Sequence, residues 1–230
     1  DGPRALRVYS AGLRTLKVAL YRVEPERDWA RFFVAQQDRW QRDDRRFDPP
    51  GQKVSSDTIT VAGDPDALTE TSIDLTRALK GGLGHALVVV EPGEKHDEVR
   101  HQVITTWAQS TRLGLSAFVA ADGMLAWASE LKDGRPAAGV ELTVGPGAIS
   151  SATSAPDGTA RLALPVAPVA VTPPKNQAPP PPGALDSRVL GGNRFLLARR
   201  GDDVAFLPES AGGWWDGTTW REHQPGTRTA

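Results

Sequence analysis

The chain has 230 residues, 39% hydrophobic and 24% charged, the composition of an ordinary folded protein, which excludes wholesale disorder. Its 27 Lys and Arg against 28 Asp and Glu leave a net charge of -1, with 16 basic and 17 acidic residues in 1–100 and 11 of each in 101–230. With no basic cluster, neither nucleic-acid binding through phosphates nor attraction to acidic lipid is expected, and the lack of cysteine excludes disulfides, Cys-ligated zinc, a thiol nucleophile and an internal thioester within this sequence.

No run approaches the roughly 18 apolar residues of a membrane span, so direct membrane insertion is not expected. Asp1-Gly2-Pro3-Arg4 lacks the charged and apolar pattern of a signal segment and would suit a piece of a longer polypeptide, with any targeting segment upstream.

Alternation of Leu6 and Val8, then of Leu16, Val18 and Leu20, around Gly12 predicts two half-buried antiparallel strands forming a hairpin over 5–23. Pro25, Glu26 and Asp28 stand where a helix start favours a fixed φ and negative charge. Trp29, Phe33, Gln36 and Trp40 follow at helical spacing, giving one inserted helix near 26–42. Strands are predicted at 53–61, 69–79 and 85–91. The short polar stretch 92–98 (PGEKHDE) reads as a hinge, which makes 1–97 a first domain and 98–230 a second.

The second domain reads as a β meander with strands at 103–111, 113–121, 123–131, 139–145 and 159–165. Asp122-Gly123, Asp133-Gly134 and Asp157-Gly158 mark its turns. Alternation selects Leu115, Ala117, Val119, Leu125, Trp127, Val140, Leu142, Val144, Leu162 and Leu164 as core. Residues 165–190 are Pro-rich and predict an exposed loop, and 194–208 resumes as a final hairpin. The fold class is therefore all-β, two tandem antiparallel β-sandwiches, the first with one inserted helix.

No constellation for catalysis emerges. His96 and His101 are five apart, which places them on different faces of a helix and opposite faces of a strand, so they do not converge on a metal. No serine stands in a Gly-x-Ser-x-Gly turn, and the glycines at 81, 82 and 84 lack the Lys-Ser/Thr of a phosphate loop. No catalytic, cofactor-binding or metal residue is assigned. Of the seven tryptophans, Trp29, Trp40, Trp107 and Trp127 fall on predicted elements, where burial accounts for them. Trp214, Trp215 and Trp220 are the candidate interaction surface.

A family resemblance follows from residues 103–207. A Thr-rich strand runs into Leu113-Gly114-Leu115, followed by Leu131-x-x-Gly134-x-Pro136-x-x-Gly139-Val140, then Pro156-Asp157-Gly158 and finally Arg199-x-Gly201-Asp202-Asp203. This pattern resembles the macroglobulin domains of bacterial alpha-2-macroglobulins, and 16–24 with the Trp29/Phe33 helix resembles the preceding domain of that type. The resemblance implies fibronectin-like seven-stranded sandwiches acting as non-catalytic scaffold in a protein that entraps peptidases. It implies neighbouring macroglobulin domains of the same polypeptide as partners, proteases reached through the full-length protein, no cofactor, and a periplasmic or extracellular location with lipid anchoring through a segment outside this sequence. The competing expectation is a tandem immunoglobulin-like adhesion or carbohydrate-binding module with Trp214, Trp215 and Trp220 as its platform.

Overall fold

The computed structural model describes residues 3–42, 48–64, 66–94, 103–120, 123–164 and 194–209, without the side chains of 34, 35, 37–42 and 120. The chain divides into two compact units, Asp1–Phe32 with Arg45–Thr111, and Phe33–Asp44 with Arg112–Ala230. Both are built from antiparallel sheets, as the all-β reading expects; the helix among the described residues, expected to belong to the first domain alone, begins in the first unit and continues into the second after Phe32.

In the first unit, β1 (Ala5–Ser10) pairs with β4 (Thr69–Asp74). The other sheet has the order β3 (Gln52–Thr60), β2 (Thr15–Val23), β5 (Gly84–Pro92), β6 (Ile104–Ser110). The expected β1–β2 hairpin does not form, because β1 leaves for the smaller sheet. The two runs nevertheless share a core: Leu6 and Val8 pack on Leu16, Val18 and Leu20, with Val88, Val90, Ile73, Leu75 and Leu79 completing it. Alternation had identified the faces that meet across the interior, which is not the same as identifying hydrogen-bonded neighbours.

The first turns of α1 (Pro25–Arg42), the part of the helix that belongs to this unit, meet β6 of the four-stranded sheet through aromatic side chains. Its start follows the sequence signals. The buried Asp28 carboxylate reaches back to accept the Glu24 amide at 2.8 Å, satisfying the donor just ahead of the helix, and it also receives Arg27 Nε at 2.9 Å. Trp29 and Phe32 are buried, and their rings stand 5.5 and 5.6 Å from that of Trp107 on β6. β6 was expected to open the second sandwich. It instead adds to β5 in register Leu87 with Trp107, and the division between the units falls after Thr111. The expected hinge at 92–98 therefore falls, in sequence, between two paired strands of one sheet, and its residues 95–98 lie outside the described residues.

The second unit is a sandwich of seven described strands. One sheet has the order β10 (Ser150–Thr153), β9 (Glu141–Gly145), β12 (Phe195–Arg200), β13 (Asp203–Pro208), and the other β11 (Thr159–Ala163), β8 (Gly123–Glu130), β7 (Leu113–Ala120). Leu142, Val144, Leu196, Ala198 and Ala205 of the first meet Leu113, Met124, Ala126, Ala128 and Leu162 of the second in one core. Of the expected Pro-rich loop, only its flanks at Leu164 and Arg194 lie within the described residues.

The sequence motifs of this sandwich are explained by its folding. Gly134 and Gly139 take φ of 72° and 71° in the connection from β8 to β9, backbone that L side chains avoid. The buried Ser154 hydroxyl closes that connection, donating to Ala137 O at 2.7 Å and accepting Val140 N–H at 2.9 Å. Asp157 accepts both the amide and the hydroxyl of Thr159, at 3.0 and 2.7 Å, which holds its carboxyl below the ordinary carboxylate range. Asp203, buried at the start of β13, accepts the amide of Arg112 at 3.0 Å and so fixes the entry to β7.

Candidate interaction surface

Trp214, Trp215 and Trp220, and the histidines His96, His101 and His223, lie outside the described residues. His85 is buried in the first unit, where its Nδ1 accepts the indole N–H of Trp107 at 3.2 Å. That bond gives both residues a structural role. Among the described residues, no group of three or more His, Asp or Glu is placed to hold a metal ion.

The exposed aromatic surface of the described structure is elsewhere. β7 and β8 are joined across residues 121 and 122, so Ala120 pairs with Gly123, Val119 with Met124, Phe118 with Leu125 and Ser116 with Trp127. On the other side of β8, Thr159 pairs with Trp127 and Arg161 with Leu125. Pairing places cross-strand partners on the same face. The outward face of this sheet therefore carries two rows, Ser116-Trp127-Thr159 and Phe118-Leu125-Arg161.

Phe118 is 65% exposed and Trp127 42% exposed, which corrects the expectation that Trp127 and Leu125 point into the core. The run Met124-Leu125-Ala126-Trp127-Ala128 is apolar throughout, so alternation alone offers both faces. Size had favoured Leu125 and Trp127, but the interior takes Met124, Ala126 and Ala128 because the opposing sheet already fills it with Leu142, Val144 and Leu196. The register decides between the faces: with Val119 facing inward, its partner Met124 must do the same.

The indole of Trp127 is seated by the turn before β11. Gly158, at φ 79°, is buried beneath it; a Cβ there would stand 3.0 Å from Trp127 Cδ1 and Nε1 and 2.4 Å from Ala128 O. Arg161 is exposed and makes no ion pair among the described residues. The other cation nearby in the sheets, Arg200, is bound to Glu130, with the second contact at 3.0 Å. That guanidinium lowers the Glu130 carboxyl below its ordinary range. The face thus combines two exposed aromatic rings, a leucine and an exposed guanidinium.

No protein-family model matches the chain, and none of the curated proteins matches it. Solved structures do. A crystal structure of native alpha-2-macroglobulin from Escherichia coli spanning domains NIE-MG1 matches at 17% identity and TM-score 0.60, covering 90% of this chain and 88% of that one. A longer crystal segment of the same protein, spanning MG0-NIE-MG1, matches at 18% identity and TM-score 0.56, covering 89% of this chain; the chain spans 58% of that segment's length. Against a cryo-EM reconstruction of the native conformation of the E. coli protein the TM-score is 0.50 at 17% identity, and the matched region is 12% of that polypeptide. The chain thus has the fold of a two-domain segment of bacterial alpha-2-macroglobulin.

Proposed function

We propose that the chain is a non-catalytic structural segment of a bacterial alpha-2-macroglobulin-like peptidase inhibitor, its two units standing in that polypeptide where NIE and MG1 stand in the E. coli protein. The observation that supports this reading best is the two-sided coverage of the match, 90% of this chain against 88% of the solved segment. A shared sandwich alone would cover about one unit, whereas this match covers residues of both. The motifs 131–140, 156–158 and 199–203 agree with it, since each is absorbed by a turn, a buried hydroxyl or a buried carboxylate, as scaffold residues are.

In this reading proteases meet the full-length protein, the chain spaces and orients other domains, and the setting is periplasmic or extracellular. The test is excision. Removing residues 1–230 from the parent polypeptide is expected to abolish protection of a large protein substrate from a bound protease. A parent that protects equally well without them would overturn the reading.

A further inference from the structure

We propose that the outward face of the β7–β8–β11 sheet is a docking surface for another folded domain of the same polypeptide, one that presents a carboxylate set among apolar side chains. Trp127 and Phe118 are its apolar anchors, and Arg161 receives the carboxylate. The proposal rests on the scaffold reading for the source of the domain, while the chemistry of the face stands on its own.

Charge selects the occupant first. Arg161 is the sole charged residue among the outward positions of the three strands, which otherwise carry Ser116, Phe118, Leu125, Trp127 and Thr159 along its two rows. Two copies of this chain meeting face to face would bring guanidinium towards guanidinium, and the carboxylate beside the face, Asp157, is already engaged by the amide and hydroxyl of Thr159. A partner with an acidic group in an apolar surround satisfies all six side chains. Aromatic rings and arginine are also the residues over-represented at protein interfaces. A sugar platform would pair its rings with carboxylate or amide groups that divide hydrogen bonds among hydroxyls; the six residues of these rows carry neither, and the neighbouring Asp157 carboxylate is taken up by Thr159.

Area selects next. Three strands about 4.8 Å apart and five residues long at about 3.3 Å per residue present roughly 250 Å². A stable complex between free partners buries about 800 Å² on each side. So small a patch holds a partner only when tethering raises the effective concentration, to about the millimolar range for short linkers. Domains joined in one chain meet that condition, and the solved relatives are longer chains of which this fold is 58% and 12%.

The pre-seating of Trp127 on Gly158 adds to this. An indole held in place by a glycine loses little side-chain entropy on docking.

The experiment places a photo-crosslinking p-benzoylphenylalanine at Phe118 in the full-length polypeptide encoded by the natural reading frame, with Thr143 on the other sheet as the control position. Adducts are mapped by mass spectrometry. The expected result is an intramolecular crosslink from position 118 to a segment outside residues 1–230, at least fivefold above the control and reduced at least fivefold by Arg161→Glu but not by Arg161→Lys. Yield no higher than the control, adducts only with a second copy or with polysaccharide, or indifference to Arg161→Glu would each overturn the proposal. A reading frame that encodes no further domain would overturn both this and the scaffold reading, whereas a missing crosslink in a multidomain parent overturns the docking surface alone.

Discussion

Trp127 lies directly over Gly158, with a distance of 3.0 Å from the indole Nε1 to the position a Cβ would occupy on that glycine. The turn can approach the ring this closely only without a side chain, and only with a residue tolerant of φ 79°. Gly158→Ala is therefore expected to destabilise the second unit by about 2 kcal/mol or more, since it combines left-handed strain with a contact of 2.4 Å to Ala128 O. Urea unfolding followed by tryptophan fluorescence checks this. A loss below about 0.5 kcal/mol would show that the turn relaxes freely.

Exposure of Trp127 also sets the cost of removing it. Trp127→Ala is expected to cost under about 1.5 kcal/mol, because much of the ring is in water in the folded state. Leu142→Ala, in the sandwich core, is expected to cost about 2–5 kcal/mol. The reverse order in thermal or urea unfolding would mean that β8 presents its other face to the interior.

These two residues also mark how far the sequence could be read. The helix was legible because Pro25, Glu26 and Asp28 give a start signal independent of what the helix packs against. The Asp-Gly turns were legible because positive φ is a local demand. Strand partners were not. β1 and β2 show the same alternation whether they pair with each other or face each other across a core, and β6 carries no local mark of joining β5. β10, Ser150–Thr153, is short and polar and has no apolar alternation to reveal it. The Trp127 face was open to inference from the register of its hairpin, and the preference for large residues over alanines concealed it.

In the first unit the Trp107 indole N–H donates to Nδ1 of the buried His85 at 3.2 Å, so its loss should be felt. Trp107→Phe keeps an aromatic ring against Trp29 and Phe32 while leaving buried His85 Nδ1 without this donor. The expected cost is about 1–3 kcal/mol. An unchanged unfolding midpoint would indicate that the imidazole turns to another partner at no cost.

Acid should weaken the fold in a defined direction. The Glu130 carboxyl is lowered chiefly by its hydrogen bonds from Arg200, Asp157 by the hydroxyl of Thr159, and Asp74 by the amide of Thr76. Each carboxyl thus binds its proton less readily folded than unfolded. Its contribution is present above the ordinary carboxylate range and is lost as pH falls below about 4. The melting temperature should drop between pH 5 and pH 3, and Glu130→Gln should flatten that drop. A melting temperature that rises over this interval would contradict the assigned ion pair and caps.

The central claim, that this chain is scaffold whose contribution appears only within a larger inhibitor, is tested most directly by a substrate-protection titration. A protease is incubated with a stoichiometric amount of either the isolated chain or the intact parent, and cleavage of a large protein substrate is followed. The account predicts an unchanged rate with the isolated chain and a suppressed rate with the parent. Suppression by the isolated chain alone, or none by the parent, would contradict it.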